Sequence, residues 1–186
     1  MTNVRSVAVL VGSLRKESLN RKMARALLDV AEGVLKLEIV EIGALALYNA
    51  DLESNVPEAW GSFRDTVRRA DAALFVTPEY NRTIPGLLKN AIDVGSRPYG
   101  KSVWSQKPAA VVSVSPGALG AFGANHCLRQ SLVFLDMPAM QQPEAYIGGA
   151  EKLFDASGKL TSEPTRELLK KFVDAFGQWI ERTLQR

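Results

Sequence analysis

The sequence SVAVLVGSLRKESLN, residues 6–20, predicts a buried strand that passes through a short polar loop into a helix. Its first part, Ser6–Val11, is short, mostly apolar and rich in β-branched residues, as expected for a strand covered on both faces. Further on, Met23, Ala24 and Leu27 follow helical spacing, with charged residues on the opposite side. A strand followed by an amphipathic helix is the repeating unit of a parallel sheet, so this stretch predicts an α/β fold.

The same alternation recurs along the rest of the chain. Further strands are predicted at Leu37–Ile42, Ala72–Thr77 and Ala109–Val114, with a fifth near Met137–Gln141 or Ala145–Ile147. Helices with apolar stripes lie between and after these strands. One contains Trp60, Phe63 and Val67, two more start near Pro85 and Ala124, and the last contains the apolar residues from Leu168 to Ile180. Five such units with no Pro/Gly/Ser-rich linker predict a three-layer α/β/α sandwich, formed by a single domain over residues 1–186.

Composition argues against several classes of function. The 186 residues carry a net charge of +3, with charged residues spread along the chain and not gathered in blocks. This spread predicts no nucleic-acid partner, because such proteins cluster their basic residues. No apolar run approaches the roughly 20 residues of a membrane span, so no membrane partner is expected, and no metal site is expected either. The single cysteine, Cys127, and the lack of a signal-like start predict a cytoplasmic location.

The loop after the first strand has the chemistry of a phosphate-binding site. Backbone N–H groups at a helix N-terminus lack intrahelical partners and carry positive partial charge, which stabilises an anion. Ser13, Ser18 and Asn20 add side-chain donors, and Arg15 offers a planar guanidinium to phosphate oxygens. The alternative interpretation is that Ser18 or Asn20 only caps the helix.

Two more loops follow strands whose carboxyl ends meet at the same edge of a parallel sheet, where ligands bind in such folds. After the third strand, Pro78-Glu79-Tyr80-Asn81 supplies an aromatic ring and backbone amides that suit a flat heterocycle. After the fourth, Ser115 and Gly117 begin a run of small residues that lets a planar ligand approach the backbone. Each loop alone could be an ordinary connection, but together the three predict one cleft.

The sequence gives little support for a nucleotide-binding motif elsewhere or for a catalytic histidine or cysteine. Gly95–Ser102 matches the P-loop pattern GxxxxGK[ST], yet it follows a predicted helix and leads into a strand, the reverse of a P-loop's context. The first strand also lacks the GxGxxG fingerprint of a tightly bound dinucleotide. His126 is expected at a helix start or an interface, and Cys127 is expected to pack as a small apolar residue.

Taken together, three runs resemble the NADPH-dependent FMN reductase family, with the closest likeness to its bacterial quinone and chromate reductases. These runs are Gly12–Arg15 with Ser18 and Asn20, then Thr77–Asn81, then Pro85–Asp93. The resemblance covers essentially the whole chain. The last two runs form one motif, and this motif together with the first run is far more specific than either alone.

The resemblance implies a flavodoxin-like fold with a five-stranded parallel sheet of order 2-1-3-4-5, and FMN as cofactor. The residues that it places on the FMN phosphate are Ser13, Arg15, Ser18, Leu19 and Asn20. Those that it places beside the isoalloxazine ring are Pro78, Glu79, Tyr80 and Asn81, and Ser115 and Gly117 map to the third loop. The flavin carries the chemistry, so no catalytic acid, base or nucleophile is predicted.

The resemblance also implies a homodimer or homotetramer and a ping-pong reaction, in which NADH or NADPH reduces the flavin, leaves, and is followed by a small electron acceptor. Quinones and chromate are the acceptors that it suggests, and Arg82 and Arg97 are candidates for attracting anionic ones. Two alternatives stay open: a flavodoxin-type electron carrier without turnover of its own, and a reductase whose substrate is FMN or an azo dye.

Overall fold

The computed structural model describes residues 4–185, so the outermost residues of the predicted 1–186 domain, 1–3 and 186, lie outside the described residues. The strands are β1 (Arg5–Val11), β2 (Leu35–Val40), β3 (Ala72–Thr77), β4 (Ala109–Val114) and β5 (Ala145–Ile147). The α-helices are α1 (Leu19–Ala31), α2 (Glu58–Arg69), α3 (Gly86–Gly95), α4 (Phe122–Phe134) and α5 (Glu163–Leu184). Two 3-10 turns, Ala50–Ser54 and Ala150–Leu153, complete the regular structure of this part of the chain.

All five strands are parallel and pair in the order β2-β1-β3-β4-β5, which confirms the predicted fold class. The apolar side chains of the strands alternate between two layers of core. One layer packs against α1 and α5, with Met23, Leu27 and Phe172 fully buried, and the other packs against α2, α3 and α4 around Trp60 and Trp104. Every residue of β3 and β4 is buried, which explains why these two strands are the most apolar runs in the sequence.

The second strand begins and ends two residues earlier than predicted. Pairing with β1 runs from Arg5–Leu35 to Leu10–Val40, so Leu35 belongs to the strand and Ile42 does not. After Val40 the chain turns, because the Leu45 amide hydrogen-bonds to the Ile42 carbonyl at 3.4 Å. Ile42 is buried, which gives it the appearance of a strand residue in the sequence.

The ends of two further elements also differ in detail. Of the two places considered for the fifth strand, Ala145–Ile147 forms it, while residues 137–141 contribute a single bridge between Ala139 and Ala109. Helix α4 starts at Phe122, two residues before the predicted Ala124.

The P-loop-like segment has a structural explanation. Gly95 ends α3, and a Cβ at this position would lie 2.5 Å from the ring of Trp104, so only glycine fits against that indole. Since α3 runs back from the carboxyl edge of the sheet, Gly95 and Arg97 lie at the opposite edge from the three loops. The segment follows a helix, as the sequence predicts, whereas a P-loop opens one. The role of Arg97 in attracting acceptors stays a prediction. Within residues 4–185, none of the helices is both long and apolar enough to cross a membrane.

Candidate functional site

A cleft of about 130 Å³ opens at the carboxyl edge of the sheet, where the loops after β1, β3 and β4 meet. Its lining is formed by residues of all three loops: Ser13, Arg15, Ser18, Leu19, Asn20, Pro78, Glu79, Tyr80, Val114, Ser115 and Pro116. Nine of these residues were predicted for the site from the sequence. Asn81 and Gly117, also predicted, do not line this cleft.

Gly12 brings the first two loops together. Its amide hydrogen-bonds to the Val76 carbonyl of β3 at 2.9 Å, and a Cβ here would stand 3.1 Å from Pro78 Cδ and 3.3 Å from Thr77 Oγ1. Such contacts are tighter than ordinary packing, so a larger residue would push the two loops apart. The absence of a side chain at Gly12 therefore allows the first loop to pack closely against the start of the second.

The start of α1 presents unpaired backbone donors to the cleft. Ser18 is the N-cap, and its Oγ accepts a hydrogen bond from the Arg21 amide at 3.2 Å, as the capping interpretation predicted. The cap leaves the hydroxyl hydrogen of Ser18 free to donate. Among residues 4–185 no acceptor meets the backbone N–H groups of Leu19 and Asn20, and no acidic residue lies in the first turn of α1. The helix therefore offers an anion uncompensated N–H groups and the positive end of its dipole.

Asn20 carries an unsatisfied polar atom into this site. Its Nδ2 donates to the Val114 carbonyl at 3.3 Å, whereas its Oδ1 is buried without a hydrogen-bond partner in the described part of the chain. A buried carbonyl oxygen without a donor costs about 1 to 3 kcal/mol, so native structures rarely retain one without reason. Its position beside the cleft calls for a ligand hydroxyl or another donor.

Some basic residues near the cleft form ion pairs with carboxylates, and others do not. Arg21 makes a bidentate ion pair with Glu41 at 2.7 and 2.8 Å, and Lys22 pairs with Glu17 at 2.8 Å. Arg15, which lines the cleft, forms no ion pair with any residue between 4 and 185. Lys16 also forms no ion pair with these residues but does not line the cleft, so Arg15 is the unpaired cation of the first loop that the cleft lining contains.

The second loop is a tight hairpin. Tyr80 and Thr83 exchange backbone hydrogen bonds at 2.9 and 3.0 Å across a two-residue turn formed by Asn81 and Arg82. Both turn residues have positive φ, 51° and 65°, which is a conformation that favours glycine. The hairpin directs Asn81 to solvent at its tip and leaves Tyr80 about half exposed at the mouth of the cleft.

The third loop is fixed against β5 and the turn that follows it. The Ser115 amide donates to the Ile147 carbonyl at 3.0 Å, and the Ser115 carbonyl accepts from the Ala150 amide at 3.1 Å. Gly120 has a φ of +58°, and a Cβ there would lie 2.5 Å from the carbonyl carbon of Tyr146. The small residues of this loop therefore allow it to pack against backbone, as well as to border a ligand.

Two lining residues were not predicted from the sequence. Val114 is the last residue of β4, and Pro116 follows Ser115. The general rule that ligands contact the carboxyl ends of central strands would have included Val114, because it ends a strand between two predicted loops.

His126 and Cys127 lie outside the cleft lining. His126 Nε2 and the Tyr146 hydroxyl are 2.9 Å apart, and both rings pack near Phe122. Burial, with help from the Glu144 carboxylate, raises the pKa of Tyr146 to about 12, so this phenol keeps its proton at neutral pH. Cys127 Sγ lies 2.9 Å from Thr83 Oγ1 of the hairpin.

A doubly wound sheet of this order, with unpaired backbone donors at the start of α1 and an aromatic hairpin after β3, is typical of the class of flavodoxin-like flavoproteins. A family model described as NADPH-dependent FMN reductase matches residues 5–152, most of the chain. The chain belongs to that family. Its membership confirms the predicted resemblance, the assignment as an enzyme, and FMN with NAD(P)H as cofactor and co-substrate.

Curated proteins of high similarity extend over nearly the whole chain. A quinone reductase of Pseudomonas putida (strain KT2440) is 67% identical over 182 residues, covering 97% of both proteins. A 2-hydroxy-1,4-benzoquinone reductase of a Burkholderia species is 45% identical and covers 94% of this chain and 95% of that protein.

A solved structure agrees with the fold. The flavoenzyme NAD(P)H:(acceptor) oxidoreductase of Paracoccus denitrificans superposes with a TM-score of 0.92 at 46% identity, covering 97% of this chain and 99% of that one. The strand order and helix layers described above are therefore shared with an experimentally determined flavoenzyme.

Proposed function

We propose that this chain is an NAD(P)H-dependent quinone reductase that binds FMN, as a single domain, in the cleft between the three loops. The observation that carries the proposal is the combination of unpaired groups in the cleft. Free N–H groups and a free guanidinium suit the oxygens of a phosphate, and the buried Oδ1 of Asn20 suits a hydroxyl donor. FMN carries both, as a phosphate and as the hydroxyls of its ribityl chain.

The phosphate would lie at the start of α1. The N–H groups of Leu19 and Asn20, the hydroxyls of Ser13 and Ser18 and the guanidinium of Arg15 all come from this region of the cleft. Charge-assisted hydrogen bonds to a phosphate are about twice as strong as neutral ones, and the helix dipole adds to them. This arrangement supports all five of the phosphate ligands expected from the sequence.

The ring would lie along Pro78, Glu79 and Tyr80 on one side, with Ser115 on the other. Because pockets that enclose a drug-sized ligand occupy roughly 300 to 1,000 Å³, a cleft of about 130 Å³ covers only part of the flavin. The remainder of the ring would be open to solvent, where a nicotinamide and then an acceptor can reach it. Asn81 and Gly117 follow the lining residues Tyr80 and Pro116 in the sequence, and they remain proposed FMN contacts.

When bound, FMN supplies the redox chemistry, taking a hydride from NAD(P)H and passing electrons to the acceptor. The residues of the chain would bind FMN and orient it. The cleft lining contains one carboxylate, that of Glu79, and it is engaged in a hydrogen bond and an ion pair. This supports a site that works through placement of the flavin and not through acid–base catalysis.

Quinones are the proposed acceptors, because the relatives of 67% and 45% identity carry that activity in their names. Chromate is proposed as a second acceptor, and a ping-pong order follows if both substrates use the same open face of the ring. A Pseudomonas aeruginosa relative of 40% identity is named an NAD(P)H-dependent FMN reductase, which keeps free flavin as a second candidate substrate.

The test is steady-state oxidation of NADH and NADPH by FMN-loaded protein with benzoquinone, chromate or free FMN as acceptor. Parallel double-reciprocal lines with the quinone are expected from a ping-pong order. An electron carrier would take up FMN, yet turn over none of the three acceptors, and that result would overturn the proposed activity.

We further propose a cytoplasmic homodimer or homotetramer. At the end of α4, Val133 and Phe134 leave about four fifths or more of their surface exposed, 80% and 86%. Adjacent apolar side chains on one helix end are typical of surfaces that pack against another subunit. The cytoplasmic location is proposed because the chain's one cysteine, Cys127, has no partner within the chain for a disulfide.

A further inference from the structure

The carboxylate of Glu79 joins the second loop to the start of α4. Its Oε2 accepts a hydrogen bond from the Ala124 amide at 3.0 Å, and its Oε1 lies 3.0 Å from Nη1 of Arg82. The Glu79 side chain is 15% exposed, whereas that of Arg82 is 79% exposed. The hydrogen bond between Glu79 and Ala124 is therefore better shielded from water than the ion pair between Glu79 and Arg82.

Helix α4 depends on this contact because it has no capping side chain of its own. Its N-cap is Ala121, in a left-handed conformation with a φ of 60°, and its first turn contains no acidic residue. Ala124 occupies the third position of the helix, whose amide is the usual target of a capping oxygen. Glu79, 45 residues earlier in the chain, provides that oxygen and also a negative charge at the positive end of the helix dipole.

Gly123 provides the space for this contact. A Cβ at Gly123 would lie 2.9 Å from Oε2 of Glu79 and 3.3 Å from the carbonyl oxygen of Arg82. Real Cβ atoms essentially never lie within 3.0 Å of another heavy atom, so a side chain here would displace the carboxylate.

The hairpin that carries the cleft residue Tyr80 needs such support. Asn81 and Arg82 are two consecutive non-glycine residues with positive φ, which is a strained conformation, so other contacts must hold the turn. The Glu79 carboxylate contacts both Arg82 and α4, and the contact between Thr83 and Cys127 adds a second attachment to the same helix.

We infer that Glu79 is a positioning residue, which holds the wall formed by Pro78, Glu79 and Tyr80 against α4 at the spacing that the flavin ring requires. The inference rests on the proposed FMN site. It assigns to the Glu79 side chain a role through α4, distinct from direct contact with the ring. The hydrogen bond to Ala124 is the essential part, and the negative charge is secondary.

The test compares FMN dissociation constants, measured by quenching of flavin fluorescence, for Glu79→Ala, Glu79→Gln and Gly123→Ala. Glu79→Ala removes the oxygen that accepts from the Ala124 amide and so detaches the second loop from α4, and it is expected to raise the FMN Kd roughly tenfold or more. Glu79→Gln keeps an oxygen for the Ala124 amide and is expected to stay within about threefold of the unaltered protein. Gly123→Ala leaves Glu79 in the sequence but displaces its carboxylate, and is expected to match Glu79→Ala.

The matched control is Asp65→Ala, which removes an exposed carboxylate–guanidinium pair of the same spacing, with Arg68 at 2.6 Å, on α2. It should leave FMN binding unchanged. The visible circular dichroism of bound FMN, which reports the ring's surroundings, is expected to change in Glu79→Ala and Gly123→Ala and to be restored in Glu79→Gln.

Three results would overturn the inference: Glu79→Ala binding FMN as the unaltered protein does, Glu79→Gln binding as poorly as Glu79→Ala, or Gly123→Ala binding normally. If Glu79→Ala does not fold, the other two variants decide the question. Failure of the unaltered protein to bind FMN is a separate result, which would refute the proposed function itself.

Discussion

Arg15 allows the proposed phosphate site to be tested by a single substitution. Its guanidinium lines the cleft and has no ion-pair partner among residues 4–185. Arg15→Ala is expected to weaken FMN binding by roughly tenfold or more, because a charged hydrogen bond contributes about 1.5 to 3 kcal/mol. Riboflavin lacks the phosphate, so its affinity should change little. Fluorescence quenching with both flavins measures the difference.

Arg25→Ala is the control for this prediction, since Arg25 is an exposed cation on α1, which begins at the proposed phosphate site. It should leave the ratio of FMN to riboflavin affinity unchanged. Equal losses of FMN and riboflavin binding in Arg15→Ala would show that Arg15 does not contact the phosphate.

Gly120 is the glycine of the third loop on which the local backbone depends most. Its positive φ and the 2.5 Å separation that a Cβ would have from the Tyr146 backbone both oppose any side chain. Gly120→Ala is therefore expected to lower the free energy of unfolding by about 2 to 5 kcal/mol, the sum of backbone strain and overpacking. Urea unfolding measures this. Gly86→Ala, where a Cβ meets nothing within 4 Å, should cost little or nothing.

Sequence reasoning found most of the cleft at the level of residues, because loops at strand ends can be located from the strands themselves. Glu79 was expected beside the ring, but its hydrogen bond to Ala124 was not foreseen. A capping pair 45 residues apart leaves no local pattern, unlike Ser18 and Arg21, which are neighbours on one helix. The outward position of Asn81 likewise depends on the hairpin conformation and not on residue type.

Among the elements, the strands and helices were predicted well, and their ends less well. The ends of β2 depend on its pairing with β1, which makes Leu35 a strand residue and leaves the equally apolar Ile42 in a turn. The three residues of β5 carry too short a pattern to be distinguished from residues 137–141 by periodicity alone. Where a strand is long and buried on both faces, as in β3 and β4, the predicted and observed bounds coincide.

Gly61 in helix α2 is a position at which alanine should stabilise the protein. Gly61 lies within the helix, and a Cβ there would meet nothing within 4 Å. Since glycine in a helix is less favourable than alanine by about 0.5 to 1 kcal/mol, Gly61→Ala is expected to raise the free energy of unfolding by that amount. Chemical denaturation followed by far-UV circular dichroism is the measurement.

Gly95→Ala is the counterpart on α3, where the added methyl would overlap the Trp104 ring. Here the same substitution should destabilise, despite the same gain in helix propensity. Stabilisation by both substitutions would contradict the packing of Trp104 against α3.

For the molecule as a whole, Asp71 links stability to pH. Burial alone would raise the pKa of Asp71, but hydrogen bonds from the Ser6 amide and hydroxyl and the charge of Arg5 outweigh it and hold the pKa below the usual value of an aspartate. A carboxyl with a lowered pKa stabilises the fold when ionised, so this contribution is present at neutral pH and is lost as the pH falls below about 4.

Asp71→Asn is therefore expected to cost about 1 kcal/mol at pH 7, allowing for partial exposure, and much less at pH 3. Urea unfolding at the two pH values tests this. Asp174→Asn, which alters an exposed carboxylate on α5, is the control and should change the free energy of unfolding little. A cost for Asp71→Asn that is the same at pH 3 and pH 7 would contradict the assigned ionisation.

Subunit association is the second prediction for the whole molecule. If the exposed end of α4 packs against another copy, Phe134→Asp should shift the protein towards smaller species, because a buried unpaired charge is costly. Light scattering coupled to size-exclusion chromatography gives the mass directly. Tyr99→Asp is the control, since Tyr99 is equally exposed, at 92%, beyond the end of α3. An unchanged mass for Phe134→Asp would place the contact elsewhere.

The hydrogen bond from the Gly12 amide to the Val76 carbonyl also bears on when the protein acquires its cofactor during synthesis. A nascent chain that has left the ribosome as far as α1 already contains every proposed phosphate ligand, but β1 has no β3 beside it and the ring wall does not exist. The cleft closes only after β3 and β4, residues 72–114, have emerged and paired. Flavin loading is thus expected late in translation or after release, and starvation for riboflavin should yield folded, colourless protein that turns yellow when FMN is supplied.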